Sequence, residues 1–177
     1  MYDYDNYKKI LIQPSNYTHA KDVRAEGLIH MPEAFTYTWW RHNGVLDIPI
    51  YTGLSAKDKE WKAKKWYFSR LYRELGGTPG FAHPVHKSTG AKQHYKKWMQ
   101  FCPELTKNDV WIEVRDYTDL LRNATDQQKS QFIKNAEHKQ YNQLCAHYGK
   151  PILNRVMPSV EPWIHMPENM FGVPDES

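Results

Sequence analysis

Asn43-Gly44 stands between two runs of alternating, β-favouring residues, Ala34–His42 and Val45–Thr52. Asn-Gly is the preferred pair for a type I′ hairpin turn, because both positions tolerate positive φ. A two-residue turn leaves one register, in which Arg41 faces Leu46, Trp39 faces Ile48, Tyr37 faces Ile50 and Phe35 faces Thr52. Those pairs share a mostly apolar face, and Thr36, Thr38, Trp40, Asp47 and Pro49 fall on the other. Turn chemistry and side-chain alternation agree, so an antiparallel hairpin over 34–52 is expected. Pro49 has no N–H to donate, which puts the second strand at a sheet edge.

Other segments supply the rest of an α+β fold. Lys9–Gln13 is a short apolar strand stopped by Pro14, and a helical turn is expected near Ala20–Glu26. Ser55, with Asp58 three residues on, opens a helix whose stripe is Trp61, Phe68, Leu71, Tyr72 and Leu75; Gly76-Gly77 ends it. Ser88 or Thr89 caps a second helix with the stripe Ala91, Tyr95, Trp98, Met99 and Cys102, closed by Pro103. Asp109–Tyr117 reads as a strand with Val110, Ile112 and Val114 inward. Thr125 and Gln128 form a capping box for a third helix, which carries Ile133, Tyr141 and Leu144 and ends at Gly149. Five prolines in 151–177 exclude a long helix there, while Trp163, Met166 and Phe171 suit a strap that packs on the body. The expected organisation is a single α+β domain over 1–150, with three main helices, a small mainly antiparallel sheet and an extended Pro-rich tail over 151–177.

Composition narrows the function. No apolar run approaches the roughly 18–20 residues that span a membrane. The opening Met1-Tyr-Asp-Tyr-Asp lacks the basic-then-apolar order of a secretory signal. Two cysteines, Cys102 and Cys145, make neither a disulfide framework nor a Cys-based zinc site, so a reducing, cytoplasmic setting is the expectation. Neither is placed as a nucleophile: Cys102 lies on an apolar helix face, and His147, two residues from Cys145, does not face it.

The net charge of +4 is unevenly spread. Residues 55–107 hold 12 Lys or Arg against 4 Asp or Glu, whereas 151–177 hold 1 against 4. An acidic partner for the middle of the chain is therefore expected. On the helix from Ser55, Lys59, Lys62, Arg70 and Arg73 fall opposite the apolar stripe within roughly 80° of arc, with Trp66 among them. Cations in a row neutralise successive phosphates, and an outward indole offers a stacking or wedging surface. A solvated helix face with Trp66 covered by another element is the plainer account of the same residues.

The segment Thr78–Thr89 brings His83, His86, Lys87, Ser88 and Thr89 to the start of the next helix, where free N–H groups and the positive dipole end favour anions. The spacing from Gly80 to Ser88 fails as a P-loop, being one residue too long, with His86 where glycine is required. His83, His86 and His94 provide no fourth ligand for a metal, and no metal or other cofactor is expected. Two imidazoles beside a held phosphate suit acid–base cleavage without a metal, so His83 and His86 are the catalytic candidates if the protein is an enzyme. Asp109 with Glu113-Val-Arg115 resembles the end of a metal-dependent nuclease site, but Arg does not readily give up a proton, and a surface ion pair explains it.

The leading expectation is a nucleic-acid or polyanion-binding protein with Lys59, Lys62, Trp66, Arg70 and Arg73 as its face. His86, Lys87, Ser88 and Thr89 form an adjoining phosphate clamp, with phosphoester cleavage as an extension. The alternative is a non-enzymatic protein-interaction protein, such as a virion assembly component (of a phage, for instance) or an inhibitor of a host protein. Its aromatic hairpin, basic helix and strap would then dock an acidic protein.

Overall fold

Period-two alternation builds the sheet, and helical stripes cover it. The computed structural model describes residues 3–23, 33–42, 44–55, 69–82 and 89–149. The strands are β1 (Lys8–Ile12), β2 (Phe35–His42), β3 (Asp47–Ser55) and β4 (Val110–Asp116). They pair antiparallel in the order β1-β4-β2-β3. The helices are α1 (Ser69–Gly76), α2 (Thr89–Phe101) and α3 (Asp126–Tyr148), so the fold is α+β. Single 3-10 turns occur at Pro14–Asn16, Ala20–Asp22 and Lys107–Asp109. The start of the expected first helix and the tail over 151–177 lie outside the described residues.

Alternate residues of each strand go to opposite faces. On one face Phe35, Tyr37, Trp39, Val110, Ile112 and Val114 are buried with Ile10 and Ile12 against Leu71 and Leu75 of α1 and Trp98 of α2. This places Val110, Ile112 and Val114 inward, as alternation requires. On the opposite face α3 crosses β2 and β3. Its N-terminal half packs Phe132, Ile133 and Ala136 with Ala34, Tyr117 and Leu121. Further along, Tyr141 and Leu144 are buried too, and a polar contact lies beside them: Gln140 Nε2 donates to Thr38 Oγ1 at 2.6 Å, and Thr38 shares a hydrogen bond with Thr52.

The hairpin forms in a different register from the one a two-residue turn imposes. His42 pairs with Asp47, Trp39 with Tyr51 and Tyr37 with Gly53, with a bulge between Trp39 and Trp40. The connection is longer: Gly44 takes φ +89°, and Val45 and Leu46 stay in the loop, 90% and 67% exposed. Contacts at the loop mouth account for the change. Asp47 lies 3.0 Å from His42 Nδ1 and accepts from Trp111 Nε1 at 3.0 Å, and Trp40 stacks on Trp111 with centroids 5.6 Å apart. Pro49 opposes Trp40 at the bulge, and β3 is an edge strand. A proline is tolerated at such a place because no ladder donor is missed.

Both helix boundaries read from capping chemistry hold. Thr125 accepts from Gln128 N–H while Gln128 accepts from Thr125 N–H. Gly149 closes α3 with its N–H on Cys145 O. The helix ahead of Pro103 ends at Phe101.

Candidate nucleic-acid interface

Helix α2 differs from its expected orientation by part of a turn. Ala91, Trp98 and Cys102 are buried, but Tyr95 and Met99 are 37% and 42% exposed, and His94 takes the inward place. At about 100° per residue the buried line Ala91–His94–Trp98 leaves Lys92, Gln93, Lys96 and Gln100 opposite, with Tyr95 and Met99 along one flank and Lys97 on the other. All of these are exposed. No Asp or Glu occurs in Thr89–Phe101, and none among the described residues pairs with Lys92, Lys96 or Lys97. Lys92 and Lys96 sit one turn apart, about 6 Å along the axis.

The two helices approach closely at the start of this face. A Cβ on Gly77 would lie 2.3 Å from Ala91 O, so only glycine admits the contact. One turn away, a Cβ on Gly90 would lie 3.1 Å from Arg73 Cδ. The Arg73 stem therefore crosses the first turn of α2, bringing a guanidinium-bearing side chain to the helix end that favours anions. Among the expected site residues, this is the juxtaposition that the described chain provides. Arg70 lies on α1 and Thr89 opens α2. Lys59, Lys62, Trp66, His83, His86, Lys87 and Ser88 lie outside the described residues.

Beneath the interface is a buried polar cluster. Glu74, on α1, accepts from Tyr37 O–H at 2.7 Å and from Trp39 Nε1 at 3.4 Å. Thr78 Oγ1 donates to Glu74 O at 2.9 Å and lies 3.3 Å from His94 Nε2. With its hydroxyl proton committed to Glu74 O, Thr78 accepts, and Nε2 of His94 carries the proton. The His94 ring lies 5.5 Å from both the Trp39 and Trp98 rings. Burial, aided by Lys97, pushes its pKa down to about 3, so it is neutral at pH 7. Each member is at most 8% exposed, which excludes substrate from the cluster as it stands. Its role is to fix α1 and α2 on the sheet and thereby hold Arg73 over α2.

The helical stripes contained a signal for these residues. Leu71, Glu74, Leu75 and Thr78 follow i, i+3, i+4, i+7, which puts a carboxylate and a hydroxyl on the core line. The expected stripe Ala91, Tyr95, Trp98, Met99 and Cys102 leaves His94 off the core side of its helix, and this is corrected: His94 is buried on the inner line of α2. Glu113, expected at the surface, is 7% exposed, with Arg115 Nε at 3.0 Å and Lys9 Nζ at 3.6 Å. It is an ion pair, but a covered one.

Among the described residues no group of three or more His, Cys, Asp or Glu is placed to hold a metal ion, and no helix is long and apolar enough to cross a membrane. No family model matches the chain, and no curated protein or solved structure matches it.

Proposed function

We propose that this chain binds nucleic acid or another polyanion through the basic face of α2, with Arg73 at its N-terminal end. The observation that carries the reading is a helix bearing three exposed lysines and no carboxylate, flanked by half-exposed Tyr95 and Met99. Unneutralised cations at this spacing bind a phosphate chain by releasing its counterions, and an aromatic flank adds a surface for bases. Lys59, Lys62, Trp66 and Arg70 extend the face, and His86, Lys87, Ser88 and Thr89 supply the phosphate clamp. His83 and His86 carry any phosphoester cleavage. Both cysteines are free thiols, which suits a reducing compartment, and the cytoplasm is the proposed location.

Titration of the full chain with a labelled oligonucleotide across salt concentrations tests this. The logarithm of affinity falls linearly with the logarithm of salt, and Lys92→Ala or Lys96→Ala flattens the slope by about 0.7–0.9 each. Absence of binding at low salt overturns the reading. His86→Ala abolishes any turnover and leaves the slope reduced by no more than one contact; equal turnover removes His86 from the chemistry.

A second reading, a protein-docking module, draws on the exposed Val45 and Leu46 at the hairpin tip. It predicts a protein complex that Val45→Asp or Leu46→Asp disrupts, with the α2 lysine variants unaffected.

A further inference from the structure

The outward face of α3 lies across the sheet from α2. Asn135, His138, Lys139, Asn142 and Ala146 follow i, i+3, i+4, i+7, i+11 and so share one side of the helix. With Tyr4 from the N-terminal segment they line a groove of about 500 Å³. The Tyr4 ring forms a wall, stacked on Phe132 at 4.8 Å, with Lys139 Nζ 5.3 Å from its centre. No carboxylate lines the groove among the described residues.

Two donors on these residues lack an acceptor. Asn142 Nδ2 lies 3.1 Å from His138 Nε2. An amide nitrogen only donates, so Nε2 accepts and the ring's N–H is at Nδ1. That Nδ1 is buried and has no hydrogen-bond partner. Asn135 is 7% exposed; its Oδ1 accepts from Gln131 Nε2 at 3.4 Å, but its Nδ2 is also buried without a partner. Native structures seldom leave buried donors unused, and here two occur one turn apart beside an unpaired ammonium. Neither donor has an acceptor among the described residues.

We propose that this groove binds a small carboxylate-bearing molecule. Lys139 and the N–H groups of His138 and Asn135 take the carboxylate, and the apolar body lies on the Tyr4 ring beside Ala146. Both N–H groups are covered as the side chains stand, so the carboxylate reaches them when the Asn135 and His138 side chains turn toward the groove, where each forms a charge-assisted hydrogen bond. A carboxylate supplies two in-plane oxygens with about four acceptor positions, enough for three donors. The site is separate from the polyanion face and does not depend on it.

Isotope-labelled full-length protein titrated with benzoate, and in parallel with neutral benzamide, tests the site by NMR. Benzoate is expected to shift the Asn135 side-chain amide and the His138 ring signals saturably, with benzamide at least tenfold weaker. Lys139→Gln, at an exposed position, weakens benzoate at least tenfold while the rest of the spectrum keeps its dispersion, and Lys92→Ala leaves binding unchanged. Unmoved Asn135 and His138 signals overturn the proposal, as does unaltered affinity in both Lys139→Gln and His138→Gln. Equal competition by inorganic phosphate overturns the assignment to carboxylates.

Discussion

His94 lies between two indoles, with its Nε2 proton on Thr78, and burial holds it neutral far below the usual histidine range. Its pKa falls from 6.5 in the unfolded chain to about 3 in the folded one. The unfolded state therefore binds the extra proton first as pH drops. The stability that rests on a neutral ring is complete above about 6.5 and is lost progressively down to about 3, by on the order of 1 kcal/mol per pH unit. Urea titrations at pH 7 and pH 4.5 are expected to show this fall, and His94→Gln to remove its share of the slope. Cys102 makes a second residue-scale case. Burial pushes its thiol up to about 12, and the side chain is fully covered. A thiol reagent at pH 8 is expected to leave Cys102 unmodified in the native protein and to reach it after denaturation.

At the scale of elements, α3 meets the sheet through two different materials. Phe132, Ile133 and Ala136 seal its first half and Tyr141 and Leu144 are buried in its second, while Gln140 between them meets a threonine seam in which Thr36 Oγ1 and Gln140 Oε1 have no partner. Hydrogen exchange is expected to open the half beyond Gln140 at lower free energy than the half before it. Thr36→Val removes a buried hydroxyl without an acceptor and is expected to be neutral or stabilising by about 1 kcal/mol. The capping box at Thr125 and Gln128 was legible in the sequence because a cap is a local device needing only two residues at fixed spacing. The hairpin register was not, since the Asn-Gly rule weighs the turn alone. Trp111 and Asp47, 64 residues apart in the chain, are joined by an indole–carboxylate bond in the observed pairing, a contact that the turn alone does not announce. The face of α2 failed for another reason. Ala91-Tyr95-Trp98-Met99 and Ala91-His94-Trp98-Cys102 fit the helical period equally well, and apolarity favours the first. The deciding factor is the polar cluster waiting beneath, with Thr78 to accept from His94 and rings to sandwich it.

For the whole molecule, the two sheet faces separate the two proposed sites: polyanion on the α2 side, carboxylate on the α3 side. With the sheet between them and no shared side chain, oligonucleotide and benzoate are expected to bind without changing each other's affinity. The charge block over 55–107 pointed to the first site because charge is additive and survives ignorance of the fold. The second site was invisible, since its donors become significant only when folding strips them of water and partners. The bulge and Pro49 on β3 carry a further consequence. A sheet border with an uninterrupted row of donors invites a second chain to add its own strand, and repetition of that step grows a fibril. Here the border strand carries Pro49, which has no N–H to offer, beside a shift in register. The hairpin thus carries its own stop against polymerisation. Pro49→Val, which restores the missing donor, is expected to shorten the lag before amyloid-dye fluorescence rises in concentrated solution.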